Sequence, residues 1–258
     1  MKTADSAAAP VSAEPLRLIS HAENEMSIEL KPSNTTQLQL TMQASMTQRY
    51  NFAVQHLLSA ARFRTLCGRT EKENSGTAFG PFFEEIQSYA TAAVLSSVAA
   101  LEASINEVYI DAIDEIQALP GLSRDQVWDL WPHVEDKPIL DKYQLTLTLC
   151  GREQMDVGTE PLQSVQTLIR IRNALVHFKP EWHNEQREHR KLGKQLQGKF
   201  ALSPFPNSKA PVFPMRCMTQ GLADWAICSV SSFASGFAER IDIKDRFAQF
   251  VDRIENAA

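Results

Sequence analysis

One stretch of sequence constrains the fold more than any other. Residues 82–119 contain neither glycine nor proline, and Pro120-Gly121 closes the stretch. Unbroken, it would form a helix of roughly 57 Å at the usual rise per residue. A helix of that length must bury its apolar side against other helices, so the sequence predicts a predominantly all-α fold.

Other segments have helical spacing of apolar residues or helix-terminating signals. Helices are predicted over residues 42–67, 123–131, 161–178, 183–197, 221–240 and 244–255. Gly68 suits the position after the first helix. Ser123 and Pro132 suit the start and the stop of the second. Residues 139–149 leave two alternatives open: the L-T-L-T-L alternation favours a strand, and the surroundings favour a helix.

The domain organisation follows from these segments. Residues 1–15 are expected to form a flexible tail, and residues 16–258 a single helical domain with an N-terminal extension. A small hairpin is predicted within residues 16–30. Residues 198–218 carry four prolines, so an irregular surface excursion is expected there. The core should be a four-helix bundle of 82–119, 161–178, 220–240 and a fourth helix from 42–67 or 183–197.

Charge and cysteine usage narrow the class of protein. The net charge of −5 means that the whole molecule does not attract nucleic acid, so any RNA contact needs a local patch. The four cysteines are widely spaced and form no C-x-x-C pair, which argues against a disulfide framework or a zinc site. No apolar run approaches the ~18 residues of a membrane helix, and residues 1–15 lack a signal peptide. A cytoplasmic protein without membrane association is therefore expected.

The residues most suggestive of chemistry form an R-N-x-x-x-H string, Arg172 to His177. On a helix Asn173 and His177 are four apart and share one face. Arg172 falls within the predicted apolar stripe of the same helix, where an unpaired charge would be costly.

Residues 82–119 also place a charged side chain within a predicted apolar stripe. Glu102 lies inside their predicted apolar stripe, which runs through Leu95, Val98, Ile105, Tyr109 and Ile113, and Asn106 lies at its border. Two helices thus each place one charge of opposite sign in a core-facing seam. We therefore expect Glu102 and Arg172 to pair across the two helices, directly or through water.

The string I-R-N-A-L-V-H-F, together with A-A-L-E-A-S-I-N-E-V-Y in the long helix, resembles the HEPN (higher eukaryotes and prokaryotes nucleotide-binding) superfamily. The resemblance covers residues 82–240 and implies a four-helix HEPN-like core. It also implies a metal-independent, cofactor-free endoribonuclease that works as a homodimer. Arg172 would bind the scissile phosphate, His177 would move protons, and Asn173 would orient one of them. Glu102 and Asn106 would support the site.

The RNA contacts have two interpretations. Arg170, Lys179, Arg187, Arg190, Lys191 and Lys194 could grip the RNA backbone. Alternatively, the cations of residues 183–197 form a solvated face balanced by Glu185 and Glu188. Trp182 could stack on a base or serve as a packing anchor.

The expected function is RNA cleavage by 2′-hydroxyl attack in a toxin or defence role, held in check by an inhibitor or antitoxin protein. The alternative is a non-catalytic HEPN-like nucleotide-binding or protein-interaction module. A homodimer packing through residues 161–178 is predicted, because one motif supplies one histidine while acid–base cleavage uses a proton acceptor and a donor.

Overall fold

Helices dominate the structure and make up 65% of it, which confirms the predominantly all-α fold. The structure is a computed structural model that describes residues 18–20, 24–31, 41–182, 185 and 187–257. The chain divides into two units at Tyr50, residues 1–50 and 51–258. This boundary differs from the single domain predicted over residues 16–258. The predicted flexible tail, residues 1–15, lies outside the described residues.

The first unit contains an antiparallel sheet with the order β1-β2-β3, formed by Leu18–Ser20, Asn24–Lys31 and Thr41–Gln48. In its register Leu18 is opposite Met26, and Lys31 is opposite Thr41. The first two strands correspond to the predicted hairpin. The third corrects the predicted helix, which was expected to begin at residue 42. Residues 41–48 alternate polar and apolar side chains, and this period of two is the pattern of a strand.

The second unit is built from helices. They are α1 (Ala53–Glu73), α2 (Phe82–Ile113), α3 (Arg124–Val134), α4 (Ile139–Leu149), α5 (Leu162–Val176), α6 (Glu188–Leu196), α7 (Gln220–Ile241) and α8 (Val251–Glu255). A single wide helical turn, Val212–Arg216, interrupts the otherwise irregular proline-rich excursion.

The core is formed by α1, α2, α5 and α7, with α2 packed against the other three. The predicted fourth helix is therefore α1 rather than α6. Large side chains sealed in this core include Phe83, Ile86, Leu101, Ile105 and Phe233.

Helix α2 is apolar and long enough to pass for a membrane span, with a mean hydropathy of 1.3 over its 18-residue window. Half of that window is buried inside the protein. The alanines and branched aliphatic residues of α2 raise this average, although polar residues such as Ser96, Ser97 and Glu102 interrupt any continuous apolar run. The central position of α2 in the bundle accounts for its composition.

Several helix ends differ from the prediction. Gly68 does not end α1, which continues to Glu73. A Cβ at Gly68 would lie 2.2 Å from Oε1 of Gln220 at the start of α7. The glycine therefore allows two helices to approach. Helix α2 ends at Ile113, and Glu115 takes a left-handed conformation with φ of 58°. Pro132 lies inside the last part of α3 instead of stopping it.

Residues 139–149 form the helix α4, so the helical alternative is confirmed. The threonines explain why the alternation misleads. Thr146 and Thr148 donate through their hydroxyls to the carbonyls of Lys142 and Gln144, at 2.7 and 3.1 Å. A hydroxyl satisfied within its own helix can occupy a position that would otherwise favour a strand.

Candidate functional site

The R-N-x-x-x-H string occupies the C-terminal end of α5. Pro161 precedes the helix, and the Glu160 carboxylate accepts the Ser164 hydroxyl at 2.8 Å near its start. The final helical hydrogen bond runs from the His177 N–H to the Asn173 carbonyl at 2.9 Å. The motif therefore spans the last turns of the helix, where α5 leaves the core.

Burial along α5 shows how the three motif residues are presented. Leu168 and Ile171 are buried, Arg172 is half-buried, and Asn173 and His177 are exposed. At 100° per residue, Asn173 and His177 lie on the side away from the core, about one turn apart. Within the described part of the chain, no hydrogen bond or ion pair engages the side chain of Arg172, Asn173 or His177.

The predicted direct ion pair between Glu102 and Arg172 is absent. Both residues are half-buried, and among the described residues no ion pair within 4.0 Å joins them. The buried face of α2 contains Val98, Ile105 and Tyr109 of the predicted stripe, and it extends beyond them through Val94 and Leu101, on the side away from Glu102. Glu102 therefore lies at the edge of this face. A long charged side chain at such an edge reaches water and needs no partner.

Asn106 has a hydrogen-bond partner on α4. Its side-chain oxygen accepts a hydrogen bond from Nζ of Lys142 at 2.8 Å. Lys142 is buried on α4, with its ammonium 6.0 Å from the centre of the Trp131 ring. The amide and the aromatic face together stabilise this buried cation.

The carboxylates of α2 that do pair with an arginine are Glu107 and Asp111. Arg246, which follows α7, contacts Glu107 at 3.0 Å and also pairs with Asp111. Oε1 of Glu107 accepts the backbone N–H groups of Phe52 and Ala53 at 2.8 and 2.9 Å, so it caps α1. This cluster was not among the predicted sites. The four-residue spacing of Glu107 and Asp111, which places both on one helix face, was the only local sign of it.

The segment after the motif connects α5 to α6. Phe178 packs against the ring of His189, with centroids 5.1 Å apart, and His189 also meets Phe213 edge-on. The Glu181 carboxylate accepts the backbone N–H groups of Arg187, Glu188 and His189 at 3.1 to 3.2 Å. Helix α6 is thus attached next to the end of the motif helix by a ring contact and by a carboxylate cap.

The Glu181 cap has an electrostatic consequence. Burial acts to raise the pKa of this carboxyl, but the three N–H donors and the neighbouring His189 outweigh it. The pKa therefore lies below its ordinary value. The negative charge also complements the positive end of the α6 dipole.

The six cations expected to contact RNA all lie at the surface. Arg170 is exposed on α5, and Lys179 follows the motif. Arg187, Arg190, Lys191 and Lys194 are exposed in and just before α6, which is shorter than the predicted helix over residues 183–197. Lys191 is engaged by Glu188 at 2.7 Å.

The cysteines take no part in this site. All four are free, and Cys67 and Cys217 are buried. Burial raises the pKa of the Cys217 thiol to about 12, which keeps it protonated and unreactive.

Comparison with known proteins adds no assignment: no protein-family model, curated protein or solved structure matches this chain.

The arrangement on α5 can perform acid–base chemistry on an anionic substrate. A guanidinium offers a fixed fork of donors to phosphate oxygens. An imidazole transfers protons, and a neighbouring amide can orient it or the substrate. All three groups occur within six residues at a solvent-facing helix end.

Proposed function

We propose that this chain is a metal-independent endoribonuclease of the HEPN type, which cleaves RNA at a site shared by two copies of the chain. The observation that supports this most is the presentation of Arg172, Asn173 and His177. They lie together at the free end of α5, and the part of the chain that the structure describes gives their side chains no partner. Polar groups left free at the surface beside exposed cations are available to a substrate.

The proposed reaction uses the RNA itself as the nucleophile. The 2′-hydroxyl oxygen attacks the adjacent phosphorus while a histidine accepts its proton. The bond to the 5′-oxygen breaks, and that oxygen receives a proton from a second acid. The products are a 2′,3′-cyclic phosphate and a free 5′-hydroxyl. Arg172 stabilises the charge on the phosphate oxygens, and Asn173 orients His177 or the phosphate.

The need for two proton-transferring groups supports a homodimer. Each motif has one histidine, and an isologous contact around the end of α5 would bring a second copy of the same set to the cleft. Val176, within the motif, is 52% exposed. An apolar side chain at this position is available for a contact between the two copies.

The proposed biological role is that of a toxin or defence ribonuclease restrained by an inhibitor protein. An active site built from exposed side chains can be blocked by a partner that covers the end of α5. If the protein cuts no RNA, the alternative function is a non-catalytic HEPN-like module that binds nucleotide or protein.

The test is incubation of purified protein with labelled RNA in EDTA. We expect the wild type to produce fragments ending in a 2′,3′-cyclic phosphate, and His177→Ala to lose about 10²–10⁴-fold in rate. His133→Ala is the matched control, since His133 is an exposed histidine on α3. Cleavage that persists in His177→Ala would overturn the proposed site. A wild type that leaves all RNA intact would favour the non-catalytic module.

A further inference from the structure

Helix α6 has two faces of opposite character. Its buried side consists of His189, Leu192, Gly193 and Leu196. Gly193 allows close packing, since a Cβ there would lie 3.2 Å from that of Val212. The other side exposes Arg190 and Lys194, four residues apart and therefore neighbours on one face. The helix is anchored by one side and displays cations on the other.

The local charge around α6 is opposite in sign to that of the whole chain. Residues 187–199 contain five Lys and Arg and one Glu, a net of +4 as 5 − 1, whereas the chain carries −5. Glu188 pairs with Lys191 and Glu160 pairs with Lys199, which leaves Arg187, Arg190 and Lys194 without a carboxylate partner within the described chain. A cationic patch on an anionic molecule directs a polyanion to that patch alone.

An exposed aromatic residue lies next to the same helix. Trp182 is 77% exposed, and it follows Glu181, whose carboxylate caps α6. Trp182 therefore lies near the start of the basic helix. The amide groups at that helix end are already occupied by Glu181, so an incoming anion must bind the cationic side chains.

The combination of cations and an open indole distinguishes between forms of nucleic acid. Phosphates of any strand pair with Arg and Lys. Only unpaired bases can stack on an aromatic side chain, because a duplex keeps its bases inside. An anionic membrane or an acidic protein would use the cations but would offer no base to Trp182.

We infer that Trp182, Arg187, Arg190 and Lys194 form a binding surface for single-stranded RNA that leads to the motif at the end of α5. This strand-binding surface deepens the proposed function and rests on it. Phe178, in contact with His189 of α6, holds the surface beside His177. The strand is held by phosphate contacts along α6 and by one base stacked on Trp182.

The experiment measures fluorescence anisotropy of a labelled single-stranded 2′-O-methyl oligoribonucleotide, which has no free 2′-hydroxyl and cannot be cleaved. Trp182→Ala should weaken binding by about fivefold or more, and Trp182→Phe should retain most of it. The salt dependence of binding is measured as the slope of log affinity against log salt concentration. The double variant Arg190→Ala, Lys194→Ala should reduce the magnitude of this slope by about 1.4, since each of the two lost phosphate contacts to a single strand contributes about 0.7. Arg69→Ala with Lys72→Ala, which removes two exposed cations of α1, is the matched control and should change neither quantity.

Three results would overturn the strand-binding surface. They are no binding at low salt, equal affinity for the single strand and its duplex with no effect of Trp182→Ala, and binding to anionic vesicles as tight as to the strand. Thermal melting verifies that each variant is folded.

The two proposals fail in different ways. If the strand binds as expected while no RNA is cleaved, the ribonuclease proposal fails and the surface stands. If RNA is cleaved in a His177-dependent manner while the surface variants bind normally, the surface fails and the ribonuclease stands.

Discussion

Arg246 forms ion pairs with two largely buried carboxylates, Glu107 and Asp111. The side chains of Glu107, Asp111 and Arg246 are 11%, 8% and 16% exposed, and each carboxylate is paired with the guanidinium. Glu107 additionally caps α1. A cavity of about 20 Å³ beside Asp111 and Arg246 has room for roughly one water molecule. Glu102, five residues before Glu107, has no such partners and needs none.

This contrast predicts unequal effects of two similar substitutions. Glu107→Ala should lower the free energy of unfolding by about 3–5 kcal/mol, because it leaves Arg246 with one partner and removes two capping bonds. Glu102→Ala should change it by no more than about 0.5 kcal/mol. Urea unfolding of both variants checks this. A comparable loss in Glu102→Ala would mean that Glu102 has a buried partner after all.

Arg172 allows a prediction about catalysis. Arg172→Lys should reduce RNA cleavage nearly as much as Arg172→Ala, to within about threefold, because lysine keeps the charge but loses the bidentate fork. Initial rates on labelled RNA measure it. The control is Arg69→Lys, at an exposed arginine on α1, which should stay close to the wild type. A lysine variant with most of the activity would show that Arg172 acts only as a point charge.

At the scale of elements, the position of α6 determines where the exposed cations lie relative to the motif. This nine-residue helix is too short to be stable alone, so it depends on its cap and on the packing of its buried side. The Glu181 cap and the contact of Phe178 with His189 both originate in the segment that follows the motif helix. The orientation of the basic helix is therefore linked to the end of α5.

The lowered pKa of Glu181 gives this link a pH dependence. A carboxyl whose pKa is depressed by folding stabilises the folded state fully above its ordinary value of 4.5, and that contribution is lost as the pH falls through the lowered value. We expect the α6 amides to be protected from hydrogen exchange at pH 7 and to lose protection only in acid. Exchange is compared with intrinsic rates at each pH.

Glu181→Gln tests the same link at neutral pH, where the α6 amides should lose protection several-fold while those of α5 do not change. Glu185→Gln is the control, because Glu185 is exposed and forms no cap. Equal protection of α6 in Glu181→Gln and the wild type would contradict a role for the carboxylate in holding the helix.

For the whole molecule, the four-helix core leaves the last turn of α5 beyond its packed face, with Asn173, Val176 and His177 exposed. The surface nearby is positive although the chain is negative overall. An assembly of two chains around the end of α5 would cover Val176 and bring the two motifs together. The catalytic unit would then be the dimer.

The dimer predicts a mass of about twice 28.9 kDa by light scattering at micromolar concentration. Val176→Asp should shift the protein toward the monomer and reduce cleavage in parallel, since a carboxylate would be buried in the contact. Val157→Asp, at a 77% exposed valine in the loop before α5, should do neither. A wild-type monomer with full activity would rule out the shared site.

Local information in the sequence was sufficient to predict most of the helices and to predict that Asn173 and His177 are neighbours on one helix face. Helical spacing of apolar residues, the absence of glycine and proline over residues 82–119, and the capping box of Ser123 and Gln126 each act within a few residues. The same local pattern also predicts that the cations between Arg187 and Lys194 are exposed, because a strongly amphipathic helix buries its apolar side whatever it packs against.

Only the tertiary structure decided how each long helix is rotated. On α2 the predicted apolar residues Val98 and Ile105 are buried, but the buried face also extends through Leu101, on the side away from Glu102. Glu102 therefore lies at the edge of the face, and it forms no direct ion pair with Arg172 among the described residues. The choice of α1 as the fourth core helix depends on which helices pack against α2. The ion pair of Arg246 with Asp111 joins residues 135 positions apart. No local pattern contains such contacts, because they arise only when the helices pack together.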